Sequence, residues 1–182
     1  MTRRTLLSSL PAALFAEVRK PRLRTAICAY SFRTQLQAKA MKYEDLIPLA
    51  VETNADGLDL TVYWFPNTDD SFLLPLRELA YRNAVELYSI SVRSDLCKPP
   101  GPARDKEAAE LRRWVDVAAK LGASHIRVFG GTVPKGSTID ECAAWVVEML
   151  RSASSYSGSK GSFLDSKIME ELLRRRPPLS VL

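Results

Sequence analysis

The sequence predicts an α/β fold built on a parallel sheet, with the chain stopping as a fifth strand begins. Four short apolar runs stand between Pro21 and Gly161, and each is followed by a segment with apolar residues at helical spacing. Strand starts are predicted near residues 25, 57, 87, 125 and 162, which gives units of roughly 30–38 residues, as parallel crossovers require. The 182 residues, 46% of them apolar, fit one domain with a sizeable core.

The first two units are defined by their apolar spacing and by the residues that close their helices. The first has a predicted strand over residues 25–30 and a helix over 43–53, where Leu46, Ile47, Leu49 and Ala50 share a face. Asn54 suits the end of that helix because asparagine tolerates a left-handed backbone. The second unit has a strand over 57–62 and a helix over 71–82.

The third and fourth units carry the clearest helix signals. A strand over 87–92 leads through a proline-rich loop to a helix over 105–121, whose apolar residues recur at i, i+3 and i+4. The fourth strand covers 125–129, and a capping box of Thr138 with Glu141 starts the helix that runs to about Tyr156.

This spacing fits both a barrel and an open doubly wound sheet. An open sheet that binds a dinucleotide carries a glycine-rich loop after its first strand. Here the first strand is followed by Tyr-Ser-Phe-Arg (30–33), which contains no glycine. The sequence therefore favours a barrel.

The net charge of +5 lies at the two ends of the chain. Residues 1–20 carry four basic residues against one acidic, and 166–182 carry four against two, which leaves 18 of each in 21–165. A nucleic-acid-binding protein needs a basic surface on its folded part, so we expect no nucleic-acid partner. No apolar run approaches the roughly 18 residues that indicate a membrane span.

The first twenty residues have the pattern of an export signal. Arg3 and Arg4 are followed by leucines, an apolar stretch extends to Ala16, and charged residues begin at Glu17. Paired arginines before leucines are typical of a twin-arginine signal, which a receptor reads. We predict a cleaved leader over residues 1–20, cut after Ala16 or after Ala13, and a periplasmic location.

Several residues that attract attention are predicted to have no chemical role. The three cysteines, Cys28, Cys97 and Cys142, match no zinc spacing, and we expect buried or neutral thiols. His125, the single histidine, starts the fourth strand, away from the end where such folds carry chemistry, so a structural role is expected. The segment 131–137 resembles a phosphate loop but lacks the required lysine, which excludes an NTPase.

Parallel β/α folds carry their chemistry where the strands end, which identifies the candidate binding residues. Tyr30, Tyr63, Arg93 and Arg127 are at or just beyond these ends, and we predict that they bind substrate. Trp64, Asp59 and Asp95 are nearby, the two aspartates as ligands or, more simply, as caps. The pair Gly130–Gly131 either lets a ligand approach the backbone or forms a turn.

Arg127 alternates along its strand with Ile126 and Val128. If those apolar residues pack on the helices, the guanidinium points into the barrel. There it could hold a hydroxyl, a carboxylate or a phosphate, or form an interior salt bridge with Asp59.

Four segments follow the predicted strands in order: Ala-Tyr-Ser-Phe-Arg (29–33), Gly-Leu-Asp-Leu-Thr-Val-Tyr-Trp (57–64), Ser-Val-Arg-Ser-Asp (91–95) and Ile-Arg-Val-Phe-Gly-Gly (126–131). Together they resemble the xylose-isomerase-like sugar phosphate isomerase/epimerase family. The resemblance covers roughly residues 25–164 and includes the exported, twin-arginine members of the family. It implies a (β/α)8 TIM barrel, here truncated to about four βα units plus the start of strand five.

The resemblance also implies that the full-length enzyme from which this chain derives, called the parent below, depends on a metal. Family members shift hydrogen beside a carbonyl with a divalent metal, held usually by two Glu, an Asp and a His from strands five to eight. Those strands are not intact here: residues 165–173 differ from the family's Glu-Asn-His-Gly-Gly at strand five. We therefore expect a divalent metal in the parent and none in this chain.

A change of reading frame would restore that motif. One permitted codon choice for residues 165–173, read with one extra G in front, encodes Gly-Leu-Glu-Asn-His-Gly-Gly-Ile-Thr. We predict a one-base deletion near codon 165, genuine or a sequencing error, with 166–182 as an out-of-frame tail. The alternative is a true helical C-terminus over 166–175, with an apolar stripe.

These observations predict the function of the parent and of this chain separately. The parent is an exported, metal-dependent isomerase or epimerase of sugars or sugar derivatives. Residues 21–165 are its N-terminal half barrel, which we expect to be inactive and, with open sheet edges, to self-associate. The alternatives are a dimeric, non-catalytic carbohydrate-binding half barrel, and an AP-endonuclease-like barrel, which the neutral charge of 21–165 disfavours.

Overall fold

The computed structural model describes residues 23–167, with side chains described up to residue 164. The predicted leader and residues 168–182 lie outside the described residues. A five-stranded parallel sheet has its strands in chain order. The strands are β1 (Ala26–Cys28), β2 (Gly57–Thr61), β3 (Glu86–Ser91), β4 (His125–Phe129) and β5 (Phe163–Lys167). Within the described residues β1 and β5 each pair on one side, so the sheet is an unclosed part of a barrel, as predicted.

The helices connect the strands in the predicted order. They are α1 (Arg33–Gln37), α2 (Leu46–Glu52), α3 (Asp70–Arg82), α4 (Pro102–Leu121) and α5 (Ile139–Ser159), with 3₁₀ turns at Ala29–Phe32, Tyr43–Asp45 and Val62–Trp64. Helix α4 starts three residues earlier than predicted, because proline fits the first turn of a helix. The predicted capping box of Thr138 and Glu141 starts α5.

Alternation along the strands separates an apolar face from a polar one. The apolar face packs on the helices, and its strand residues are fully buried: Leu58, Leu60, Ile90, Ile126 and Val128. The alternate positions carry polar residues, among them Asp59, Ser91 and Arg127, which we call the inner face. The prediction that Arg127 lies opposite Ile126 and Val128 follows directly from this alternation. No described helix is long and apolar enough to cross a membrane.

The cysteines behave differently from the sequence prediction. Cys97, in the loop after β3, and Cys142, in the first turn of α5, form a disulfide with Cα atoms 5.0 Å apart. The expectation of neutral thiols is therefore wrong for these two residues. Neither spacing nor parity could identify the pair, because the fold alone brings together residues that are 45 apart in sequence. Cys28 is a free, half-buried thiol.

Candidate functional site

A polar cluster on the inner face surrounds Arg127. Its Nη2 lies 3.0 Å from the Oδ2 of Asp59, and its Nε donates a 2.8 Å hydrogen bond to the hydroxyl of Ser91. Ser91 in turn donates to the other carboxylate oxygen of Asp59 at 2.7 Å. Ser91 and Arg127 are partners in the β3–β4 register, so the strand pairing itself aligns them. The interior salt bridge with Asp59 is present, and Asp59 caps no described helix.

Cys28 completes this cluster from the neighbouring strand. It is the register partner of Asp59, and its thiol donates a 3.3 Å hydrogen bond to Asp59 Oδ2. The side chain of Asp59 is 6% exposed and that of Arg127 is 30% exposed. The Asp59 carboxylate is thus buried, whereas the Arg127 side chain that pairs with it still reaches solvent.

Aromatic residues form a row at the carboxyl ends of β1 and β2. The ring of Trp64 lies 5.9 Å from that of Tyr30 and 5.8 Å from that of Tyr63. We call these three side chains the aromatic row. The guanidinium of Arg33 lies 5.5 Å from the Tyr30 ring at one end, and that of Arg93 lies 4.8 Å from the Tyr63 ring at the other.

Tyr63 links the aromatic row to the polar cluster. Its burial raises the pKa of its phenol, and the charges of Arg93 and Arg127 offset part of that rise. Both arginines act on the phenol, and so does Tyr30, whose ring also lies beside that of Trp64. Tyr30, Tyr63, Arg93 and Arg127 are therefore neighbours. The Tyr63 phenol is protonated at neutral pH and can donate a hydrogen bond.

The turn that carries Tyr63 and Trp64 is fixed by a buried tyrosine. The Tyr43 hydroxyl donates to the carbonyl of Thr61, the last residue of β2, and burial raises the pKa of that phenol. The Tyr43 ring meets Phe65 edge-on at 4.6 Å, on the far side of the turn. These contacts hold both ends of the turn and therefore the orientation of the two site rings.

Sequence reasoning missed Arg33 as a site residue. It lies three positions after Tyr30, and the intervening 3₁₀ turn brings its guanidinium back over the Tyr30 ring. Residues three apart in a helical turn share a face, which is the signal that could have identified it.

The loop that carries Arg93 is joined to the loop after β4. The Ser94 hydroxyl donates to the carbonyl of Phe129 at 2.9 Å and accepts from its amide at 2.7 Å. Asp95 accepts from the amide of Thr132 at 3.3 Å and pairs with Lys98 at 2.7 Å. Asp95 thus helps to hold the two loops together, and these bonds restrain the loop that carries Arg93.

Gly131 permits this close approach of the two loops. It has a φ of +99°, and a Cβ there would lie 1.8 Å from the Oδ1 of Asp95 and 3.0 Å from its Cα. The expected close approach at the Gly130–Gly131 pair is therefore to Asp95. Gly136 has a similar φ of +91° but nothing within 4 Å of its Cβ position.

Gly131→Ala is therefore expected to lower the free energy of unfolding by about 2 kcal/mol, from a strained backbone and a clash. Gly136→Ala shares the backbone strain without the clash, so it should cost about 1 kcal/mol. Denaturant titration of both variants measures the difference. Equal losses would show that the contact with Asp95 does not constrain the loop.

The fold and the family profile agree. The profile described as "Xylose isomerase-like TIM barrel" matches residues 47–164, which is more than half of the 182 residues. The chain belongs to the xylose isomerase-like TIM barrel family. No match to a curated protein was found for this family member.

Solved structures with this fold are more distant in sequence. D-psicose 3-epimerase from Clostridium cellulolyticum H10 is 16% identical, with a TM-score of 0.67 over 78% of this chain and 51% of that one. The probable 3-DHS dehydratase AsbF from Bacillus anthracis is 18% identical, with a TM-score of 0.57 over 78% and 51%. The IOLI protein, solved with a bound zinc atom, is 10% identical, with a TM-score of 0.62 over 80% and 51%. This xylose isomerase-like chain therefore spans about half the length of the structures it resembles.

The described residues of this xylose isomerase-like chain do not form a metal centre. No three His, Cys, Asp or Glu side chains among them are grouped to hold an ion. Asp59, the buried carboxylate of the site, is already engaged by Arg127, Ser91 and Cys28. The β4–β5 register pairs Phe129 with Lys167, so position 167 ends β5 at the same level as the end of β4.

Proposed function

We propose that this chain contains half of the carbohydrate site of a sugar isomerase or epimerase. The observation that carries the proposal is the aromatic row beside the guanidinium of Arg127, which Asp59 and Ser91 hold in place. Aromatic rings offer an apolar surface to the C–H face of a sugar, and a fixed guanidinium offers hydrogen-bond donors to its hydroxyls. A structural neighbour whose name is D-psicose 3-epimerase supports a sugar as the ligand.

Each residue would have a definite task in binding. Trp64 and Tyr63 would contact the face of the ring, and the protonated Tyr63 phenol would donate to a hydroxyl or carbonyl oxygen. Arg127 would donate to a second oxygen, with its orientation fixed in advance because two partners already hold it. Such pre-organisation raises affinity because little side-chain freedom is lost on binding.

Catalysis requires groups that the described residues do not supply. A metal-dependent hydrogen shift needs several oxygen or nitrogen ligands around one cation, and the described residues do not group them. The reading with one extra base near codon 165 places a glutamate at position 167, at the carboxyl end of β5, level with Phe129. We propose that this reading is that of the active parent, that its metal ligands begin there, and that residues 166–182 are out of frame.

Sequencing the genomic DNA across codons 155–185 tests the proposal, followed by expression of both readings. The repaired reading is expected to interconvert a probe pair such as D-psicose and D-fructose, which differ only at C3, and to do so only with a divalent metal present. The chain as it stands is expected to bind them without turnover. A sequence that continues no barrel in any frame would remove the basis for the isomerase, and turnover by the present chain would contradict its inactivity.

The proposal extends to the location and the assembly of the chain. Periplasmic export is supported by the Cys97–Cys142 disulfide, since disulfides persist in oxidising compartments. Self-association is supported by the one-sided pairing of β1 and β5 in the described residues and by Phe163, which is 67% exposed on β5. Sedimentation over a range of concentrations measures the assembly. A nucleic-acid ligand is disfavoured because residues 21–165 carry 18 basic and 18 acidic residues.

A further inference from the structure

We infer that the sugar bound at this site is a sugar acid, whose carboxylate binds Arg93. The inference rests on the proposed function, namely that the aromatic row and Arg127 bind carbohydrate. It adds that the ligand carries a negative charge, which neither the fold nor the neighbouring structures indicate. The reason is that some cations of the site form salt bridges with carboxylates and others do not.

The cations of the site fall into two classes. Arg127 is compensated by Asp59 at 3.0 Å, and Lys98 is compensated by Asp95 at 2.7 Å. In the part of the chain with described side chains, Arg93 and Arg33 enter no salt bridge. The inner end of the site therefore donates hydrogen bonds without net charge, while its outer edge keeps a positive charge.

Arg93 is held in a geometry that suits a carboxylate. Its guanidinium carbon lies 4.8 Å from the centre of the Tyr63 ring, and its charge acts on the Tyr63 phenol, where it offsets part of the rise in pKa that burial causes. Contact with a ring engages one face of the planar guanidinium and leaves N–H groups at its edge for a ligand. A carboxylate accepts two parallel hydrogen bonds from such an edge.

The position of Arg93 fits one ring with one acidic substituent. Tyr63 separates Arg93 from Trp64, whose ring centre is 5.8 Å from that of Tyr63. A sugar ring on Trp64 and Tyr63 would thus place a substituent at Arg93 while its hydroxyls meet Arg127. Arg33 contacts the Tyr30 ring, at 5.5 Å, and Arg93 contacts the Tyr63 ring, so Arg93 is the uncompensated cation beside the ring that adjoins Trp64. One guanidinium balances the single charge of a carboxylate better than the near-double charge of a phosphate.

Titration calorimetry on the full chain with D-glucuronate, D-glucose and D-glucose 6-phosphate tests the inference. The native chain is expected to bind glucuronate about tenfold more tightly than glucose, since a charge-assisted bidentate pair contributes on the order of tenfold at a partly exposed site. Arg93→Gln should bring the affinities for glucuronate and glucose within about twofold of each other. Arg93→Lys should keep part of the preference, because lysine retains the positive charge but cannot donate two parallel hydrogen bonds to the carboxylate. Arg112→Gln, on the exposed surface of α4, removes the same charge and should leave the preference unchanged.

The possible outcomes separate the inference from the function on which it rests. No binding of any of the three sugars would overturn the proposed carbohydrate site itself. Equal affinity for glucose and glucuronate would overturn the acid requirement and leave the carbohydrate site standing. Tighter binding of glucose 6-phosphate than of glucuronate would overturn the assignment to a carboxylate. An equal loss of preference in Arg112→Gln would show that net charge, and not Arg93, is responsible. Circular dichroism and melting curves confirm that each variant is folded.

Discussion

Replacing Cys97 and Cys142 together by serine is expected to lower the free energy of unfolding by about 4 kcal/mol. The reason lies in the unfolded chain, where the disulfide joins residues 45 apart and removes much of the freedom of the loop between them. The closed loop contains all of α4 and one of the five strands, β4. The chain-entropy relation for a loop of this length gives the stated magnitude.

Denaturant unfolding with and without a reductant measures this effect. The unreduced native chain should unfold at a higher denaturant concentration than the double variant, and reductant should shift the native chain only. The variant Cys28→Ser is the matched control, because Cys28 is the free thiol and its loss removes no covalent link. A native chain whose midpoint is unaffected by complete reduction would contradict the prediction.

The disulfide also bears on the binding site. Cys97 lies in the loop after β3, which also carries Arg93, and Cys142 lies at the start of α5, so the bond attaches this loop to a helix. Both cysteines are buried, at 1% and 0% exposure, which keeps a reductant from the bond until the structure opens. The bond is therefore a structural one, and it persists in compartments where thiols are oxidised. This persistence agrees with the proposed export.

The sequence was informative wherever a single element decided the outcome. Alternation along β4 predicted that Arg127 lies opposite Ile126 and Val128, because the side-chain period of a strand is fixed at two. The end of α4 at Gly122 was readable because a left-handed residue there, with φ of +74°, stops the helix. Tyr63 and Arg93 lie just beyond the ends of β2 and β3, as their sequence positions indicated, whereas Arg127 is the third of the five residues of β4. That these residues bind substrate stays a prediction.

Features that depend on loop geometry were not readable in the same way. The Cys97–Cys142 pair joins a loop to a helix, and nothing in the spacing identifies it. The close approach of Gly131 to Asp95 belongs to two loops from different units, and a glycine in a sequence does not reveal what lies near it. The Arg127–Asp59 ion pair was one of the two alternatives that the sequence offered, but the pairing of Lys98 with Asp95 and the contact of Arg93 with the Tyr63 ring needed the fold.

Asp59→Asn is expected to lower the free energy of unfolding by about 3 kcal/mol, near the lower end of the effect of breaking a buried ion pair. The substitution keeps the shape of the side chain but leaves the Arg127 guanidinium without its compensating charge. Part of the penalty is relieved because the Arg127 side chain remains 30% exposed, whereas a fully enclosed cation would cost more. Binding of a neutral sugar should also weaken, since Arg127 loses the partner that fixes its orientation.

The double variant Asp59→Asn with Arg127→Met separates pairing from packing. If the cost of the single variant comes from an uncompensated charge, removal of that charge should restore a large part of the lost stability. Ser91→Ala is the control within the cluster, because it deletes one neutral donor and leaves the ion pair, and it should cost about 1 kcal/mol. Denaturant titration of the native chain, Asp59→Asn, Arg127→Met and the double variant gives the coupling energy between the two residues. A double variant no more stable than Asp59→Asn would mean that water solvates the Arg127 guanidinium when Asp59 is absent. Arg127 could then pair with an anionic ligand without loss of stability.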